Sequence, residues 1–191
     1  MTKQEDVQAL ELKEKRIVWE PLMTKYNCQI IGELGVRDGT NFMRMIEHKP
    51  TFAVGIDIWQ NTGNMAQNDL AYSQEKLDAQ YHGVVDMTLE LPGVKIIRGF
   101  THNAVGHFPD DFFDLIYIDA DHSYAGVSRD IADWWPKVVS GGFFLGDDYK
   151  NHKTRTGVRF GVRKAVWEHC DKHKVSFFKF GNDKKWGIIK P

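Results

Sequence analysis

The chain has 191 residues, an apolar fraction of 42% and nearly balanced charge, 25 Lys and Arg against 26 Asp and Glu for a net of -1. That length suits one compact domain with a full hydrophobic core; the balance gives no reason to expect a polyanionic partner, and no stretch is long and apolar enough to span a membrane. The charged start Met1-Thr2-Lys3-Gln4-Glu5-Asp6 lacks the apolar run of a secretory signal, and only Cys28 and Cys170 are present, which argues against a disulfide framework and for a reducing cytoplasm.

In chain order, Lys3 to Met23 carries Val7, Leu10, Ile17 and Val18 among charges, the pattern of an amphipathic helix that Pro21 should end. Cys28–Leu34 reads as a buried strand, followed by a glycine-containing turn and a helix over Thr40–His48. Thr51–Ile58 is a second strand. Gln60–Pro92 is mostly polar, with a helix expected around Asn68–Tyr81. It is long for a connection within a domain and reads either as a substrate lid or as an extra surface helix, the lid being preferred. Val94–Arg98 and Phe112–Asp119 are strands three and four, separated by a short helix or loop over Thr101–Phe108. Tyr124–Val139 places Ala125, Val127, Ile131 and Trp135 near one stripe, and Gly141-Gly142 should stop that helix and open strand five. A helix over Val158–His173 precedes two strands, Val175–Phe180 and Trp186–Ile189, paired around Gly181-Asn182-Asp183. Strand–helix alternation with a terminal antiparallel pair predicts a single α/β domain over 1–191 with a mostly parallel sheet. Residues 1–25 form its N-terminal helix and 60–92 its lid insertion.

Two runs carry the chemistry. Asp114-Leu-Ile-Tyr-Ile-Asp119-Ala-Asp121-His122-Ser-Tyr124 and Gly142-Phe-Phe-Leu-Gly-Asp147-Asp148-Tyr149 are apolar strands that end abruptly in carboxylates. Charges are costly in a core, so acids at neighbouring strand ends imply a shared polar crevice, where open α/β sheets bind ligands. Glu33-Leu34-Gly35-Val36-Arg37-Asp38-Gly39-Thr40 sits where a mononucleotide-type fold places its ligand loop. It matches neither the dinucleotide fingerprint nor a P-loop. Glu33 would repel phosphate and suit a cationic group; the alternative is an ordinary strand-to-helix turn. Asp57 ends strand two at the distance expected of a carboxylate that accepts from ribose hydroxyls, and Trp59 could cover a nucleoside. Taken singly, Asp57 could equally form a turn and Trp59 fill the core.

In this order, Glu-x-Gly-x-x-x-Gly, Gly-Ile-Asp, Ile-Asp-x-Asp-His-Ser-Tyr and Gly-Gly-x-x-x-Gly-Asp-Asp-Tyr, the chain resembles the class I S-adenosylmethionine-dependent methyltransferases. More narrowly it is similar to the small metal-dependent O-methyltransferases of sugars, macrolides and other natural products. The resemblance covers Ile30 to Cys170. It implies a Rossmann-like seven-stranded, mostly parallel sheet with an antiparallel last strand and helices on both faces. It also implies that Glu33 and Gly35 line the methionine end of the cofactor, Asp57 holds the ribose, and Phe100 and Thr101 flank the adenine; Gly39, Trp59 and Asp119 are expected to complete the cofactor site.

Asp119, Asp147 and Asp148 would raise one another's pKa unless a cation neutralised them, and all-oxygen ligands favour Mg²⁺ or another hard divalent ion. The matching positions of the resembled enzymes bind Mg²⁺. Asp121, with His122 as second candidate, would take the proton of an acceptor hydroxyl chelated to that metal. The expected activity is O-methylation of a small sugar, polyol or phenolic. A nucleic-acid or protein methyltransferase and a non-catalytic cofactor-binding module are the alternatives. Against the former, strand four lacks the Asn/Asp-Pro-Pro-Tyr tetrapeptide. The partner is thus a small-molecule acceptor rather than nucleic acid or membrane, and a homo-oligomer stays open. Two signals are discounted: His169 and His173, read as a solvated helix end, and the basic stretch Lys150–Lys164, read as a solvated face.

Overall fold

The computed structural model describes residues 3–8, 10, 19–62, 72–150, 159–182 and 184–191. Seven strands form one sheet: β1 (Ile30–Leu34), β2 (Phe52–Asp57), β3 (Val94–Arg98), β4 (Phe113–Ile118), β5 (Val138–Gly146), β6 (Phe177–Phe180) and β7 (Lys185–Ile189). Their order is β3-β2-β1-β4-β5-β7-β6, and β7 alone runs antiparallel, slotted between β5 and β6. The helices are α1 (Lys3–Gln8), α2 (Trp19–Tyr26), α3 (Thr40–Ile46), α4 (Gln74–Thr88), α5 (Thr101–Ala104), α6 (Tyr124–Trp134) and α7 (Val162–His173).

β1, β2 and β4 are apolar on both faces because helices cover both. On one face Ile31, Leu115, Phe143 and Leu145 pack against Trp19 and Leu22 of α2, Phe42 and Met45 of α3, and Leu77 and Val84 of α4. On the other, Val54, Ile56, Ile116, Phe144, Trp186 and Ile188 meet Val127, Ile131 and Trp134 of α6 and Val162 and Val166 of α7. The order reverses between β1 and β4, so the chain leaves these two strands toward opposite sides and a crevice opens at their carboxyl ends.

All seven expected strands are present, and the departures have local causes. Pro21 lies in the first turn of α2, where its missing N–H breaks no helical bond, so it helps start a helix rather than end one. The single N-terminal helix is two, α1 and α2, with 11–18 outside the described residues. Gly141-Gly142 does not open strand five: β5 begins at Val138, and the glycines lie in a bulge where the β4–β5 register shifts between Phe113 and Leu115. The helix expected over Asn68–Tyr81 starts later, at a Ser73 cap whose side chain accepts from Lys76 N–H, and runs to Thr88. The lid reading falls partly on 63–71, outside the described residues. No described helix is long and apolar enough to cross a membrane.

Candidate active site

An open crevice of about 880 Å³ lies along the carboxyl ends of β1, β2, β4 and β5. Strand periodicity decides what faces it. Cross-strand register aligns Glu33, Tyr117, Leu145 and Gly187. Side chains alternate along a strand, so the next positions on that face are Asp119, Asp147 and, on the oppositely running β7, Lys185. The crevice wall carries all of Glu33, Tyr117, Asp119, Asp147 and Lys185.

The loop after β1 comes close to the end of β4. Gly35 donates its N–H to the Ile56 carbonyl at 2.8 Å, and Asp119 N–H donates to the Leu34 carbonyl at 2.7 Å. Gly35 has φ +93°, and a Cβ there would stand 2.2 Å from the Asp119 carbonyl oxygen, so only glycine fits. Gly39, at φ 80°, starts α3.

Glu33 is 1% exposed. Its Oε1 accepts from Asn41 Nδ2 at 2.7 Å, and Asn41 Oδ1 in turn accepts from Trp19 Nε1 at 3.0 Å. The buried Oε2 has no hydrogen-bond partner among the described residues. Burial pushes the Glu33 carboxyl well above the usual carboxylate range; Asn41 opposes this, and the charges of Asp119 and Asp57 add to it. A cationic group entering the crevice would satisfy that oxygen.

Asp57 Oδ2 accepts from Arg37 N–H and Oδ1 from Trp59 N–H, each at 2.9 Å. The amides of Ile58 and Val36 also bear on this carboxylate. Burial raises its pKa against those backbone donors. Trp59 is buried: its indole is 0% exposed, packs on Tyr81 at 5.2 Å and donates Nε1–H to the Arg37 carbonyl. It braces the β1 and β2 loops at the crevice wall. Phe100 is exposed at the crevice and stacks on His102, and Thr101 Oγ1 donates to Asp130 Oδ1 at 2.5 Å. Asp130 is buried, and desolvation lifts its carboxyl to about 7.

The acidic strand ends converge, but with partners that the sequence reading did not name. His122 Nε2 lies 3.1 Å from Asp119 Oδ1 and 3.4 Å from Asp148 Oδ2. Lys150 Nζ pairs with Asp148 Oδ1, and Lys185 Nζ pairs with Asp147 Oδ2. Burial alone would lower the His122 pKa; the hydrogen bond and charge of Asp119, with Asp148 and Asp147, more than offset it and hold the imidazole above its usual value. Burial also raises Asp119. Asp121 Oδ1 accepts from Ser123 N–H and its Oδ2 from Ser123 Oγ–H, so the expected base is engaged in the turn that starts α6.

This arrangement does not show the expected Mg²⁺ site. Each of Asp119, Asp147 and Asp148 already faces an ammonium or imidazole, and no described group of three or more His, Cys, Asp or Glu is placed to hold a metal ion. The donor set as arranged does not fit a divalent cation. His169 is corrected: it is buried against Trp135 and His173, which lowers its pKa to about 4, and is not solvated. Sequence reasoning missed Asn41, Tyr117, Asp130 and Lys185. Tyr117 was accessible, since it lies two residues before Asp119 on the same strand.

A seven-stranded sheet with one antiparallel strand near its edge, and a crevice at the switch point walled by Glu33 and Asp57, define a class I S-adenosylmethionine-dependent methyltransferase. Residues 33–149, more than half of the chain, match the methyltransferase domain family, and the chain belongs to that family. No curated protein matches it. Among solved structures it is similar to the O-methyltransferase NovP (17% identity, 88% of this chain and 74% of that one, TM-score 0.63). It is also similar to the SAH-bound methyltransferase PaMTH1 of Podospora anserina (14%, 89% and 75%, 0.64). A third is a putative caffeoyl-CoA O-methyltransferase from Staphylococcus aureus (15%, 97% and 90%, 0.60). At these identities the likeness is one of fold.

Proposed function

We propose that the protein is an O-methyltransferase that moves the methyl group of S-adenosylmethionine to a hydroxyl of a small acceptor, a sugar, polyol or phenolic. The observation that carries the cofactor is the buried, unpartnered Glu33 Oε2, with Glu33 and the Asp57 carboxylate both on the crevice wall. An α-amino cation fits the first and ribose hydroxyls the second. Gly35 and Gly39 let the backbone approach the methionine end, and Phe100 offers its ring to the adenine beside Thr101.

When bound, the cofactor supplies an electrophilic methyl group: its S–C bond breaks with the electron pair left on sulfur as the O–C bond forms. The chain's own part is to hold the acceptor beside that methyl and to remove its proton. Orientation of this kind supplies several kcal/mol of the barrier reduction, roughly 7–11 in the best cases. The proton passes to Asp121 or His122, both on the crevice wall; each Asp121 oxygen accepts one hydrogen bond from Ser123 and keeps a lone pair for the incoming proton.

The test is incubation with S-adenosylmethionine and a panel of sugars, polyols and phenols, with S-adenosylhomocysteine and methylated product followed by mass spectrometry. A methyl ether on one acceptor class is expected. Cofactor binding without product on any acceptor, or methylation of nitrogen alone, would overturn the reading.

A further inference from the structure

The acidic wall of the crevice carries a cation of its own, delivered by topology. β7 runs against its neighbours, so its first residue, Lys185, stands where β4 and β5 end. Tyr149 N–H, just beyond β5, donates to the Lys184 carbonyl at 2.6 Å and pins the start of β7 to that edge. The Lys185 side chain is 14% exposed. Its Nζ donates to Tyr117 Oη at 2.5 Å and to Asp147 Oδ2, and Tyr117 Oη also lies 3.3 Å from Asp147 Oδ2. Across the cluster His122 joins Asp119 to Asp148. A divalent ion bound by Asp119, Asp147 and Asp148 would have to displace that ammonium or sit against it.

We propose that Lys185 takes the place of a divalent ion: a resident ammonium neutralises the acidic wall and faces the acceptor, so that the crevice binds no metal and works without one. An ammonium has three N–H donors. Two go to Tyr117 and Asp147 among the described residues, and the third is directed to an acceptor oxygen, where it stabilises the negative charge that develops as the proton leaves. The role assigned to that third donor rests on the methyl-transfer reading above; the exclusion of metal rests on geometry alone.

Electron paramagnetic resonance of Mn²⁺ titrated into the full chain with saturating S-adenosylhomocysteine separates the two. The unaltered protein and Lys185→Arg should show no saturable Mn²⁺ binding. Lys185→Ala or Lys185→Met, which leave three acids with one fewer cation, should each gain one saturable site, and Mn²⁺ should raise their melting temperatures. Both neutral variants are included so that one folded protein remains if the other fails. Saturable binding to the unaltered protein would overturn the proposal, and so would its absence from a folded neutral variant. Methyl transfer by the unaltered protein should persist undiminished in EDTA, and a loss that Mg²⁺ restores would also overturn it. If no acceptor is methylated at all, the O-methyltransferase reading falls while the Mn²⁺ result still decides whether Lys185 keeps metal out.

Discussion

Glu33 illustrates how a binding residue is held at the expense of stability. Its carboxyl is buried with one oxygen unpartnered, so ionisation in the empty crevice is costly. The folded-state pKa is raised, so the folded chain retains a proton that the unfolded chain releases from about pH 4.5 upward, and stability falls as pH rises through that window. Glu33→Gln should therefore raise the melting temperature of the cofactor-free protein at pH 8 and change it little at pH 5. It should also weaken S-adenosylmethionine binding roughly tenfold or more by calorimetry, since the ion pair contributes about 1.5–3 kcal/mol. A variant that binds the cofactor normally would remove Glu33 from the site. Asp57→Ala is expected to raise the cofactor Kd by roughly 10- to 100-fold, because hydrogen bonds to a charged acceptor are lost. It should also loosen the two loops whose Arg37 and Trp59 amides it holds, visible as faster hydrogen exchange there.

Among the elements, the loop between β1 and α3 is the least tolerant. Gly35 combines a positive φ with a backbone contact against Asp119, so neither the side chain nor the neighbouring strand can yield cheaply. Gly35→Ala should cost more than about 2 kcal/mol, a fall of roughly 4–8 °C in melting temperature at this chain length, and abolish cofactor binding. An unchanged melting curve would show that the loop can move away from β4. α4 works differently: Leu77 and Val84 bury it against the sheet while Leu77, Gln80 and the preceding Tyr72 line the crevice. The described part of the 60–92 segment is thus a packed wall of the site.

The whole molecule should be more stable in mild acid than in mild base when no cofactor is bound. Asp130, with its pKa near 7, and the raised Glu33, Asp57 and Asp119 all hold protons in the folded state that the unfolded chain would release, so each contributes less stability as pH rises. His122 acts in the same direction: its raised pKa makes the pairing with Asp119 fully stabilising below about pH 6.5, a contribution lost as pH climbs through the folded value. Asp130→Asn keeps an acceptor for Thr101 without the charge. Melting temperatures measured from pH 5 to 8 should fall less steeply in that variant than in the unaltered protein. Equal slopes would mean that Asp130 does not titrate in this range.

Strand number, sheet direction and the acidic strand ends were all legible in the chain, because a buried parallel strand needs an apolar run and a ligand edge ends it abruptly in charge. The runs ending at Glu33, Asp57, Asp119 and Asp147 announce themselves in this way. Local sequence also carried the turn at Gly35 and the order of motifs behind the family resemblance. What it could not carry was pairing. Lys185 reads as one of two lysines after a polar turn, and only the antiparallel insertion of β7 brings it onto Asp147; His122 reaches Asp119 locally, three residues on, but meets Asp148 only through the register of β4 with β5. Trp59 was ambiguous for a related reason: a large ring after a strand can cover a ligand or fill a core, and its burial against Tyr81 of α4 at the crevice wall is set by tertiary packing. Periodicity is a property of a few adjacent residues. The charge balance of a site is set by side chains from distant segments, which meet only when the sheet closes its order.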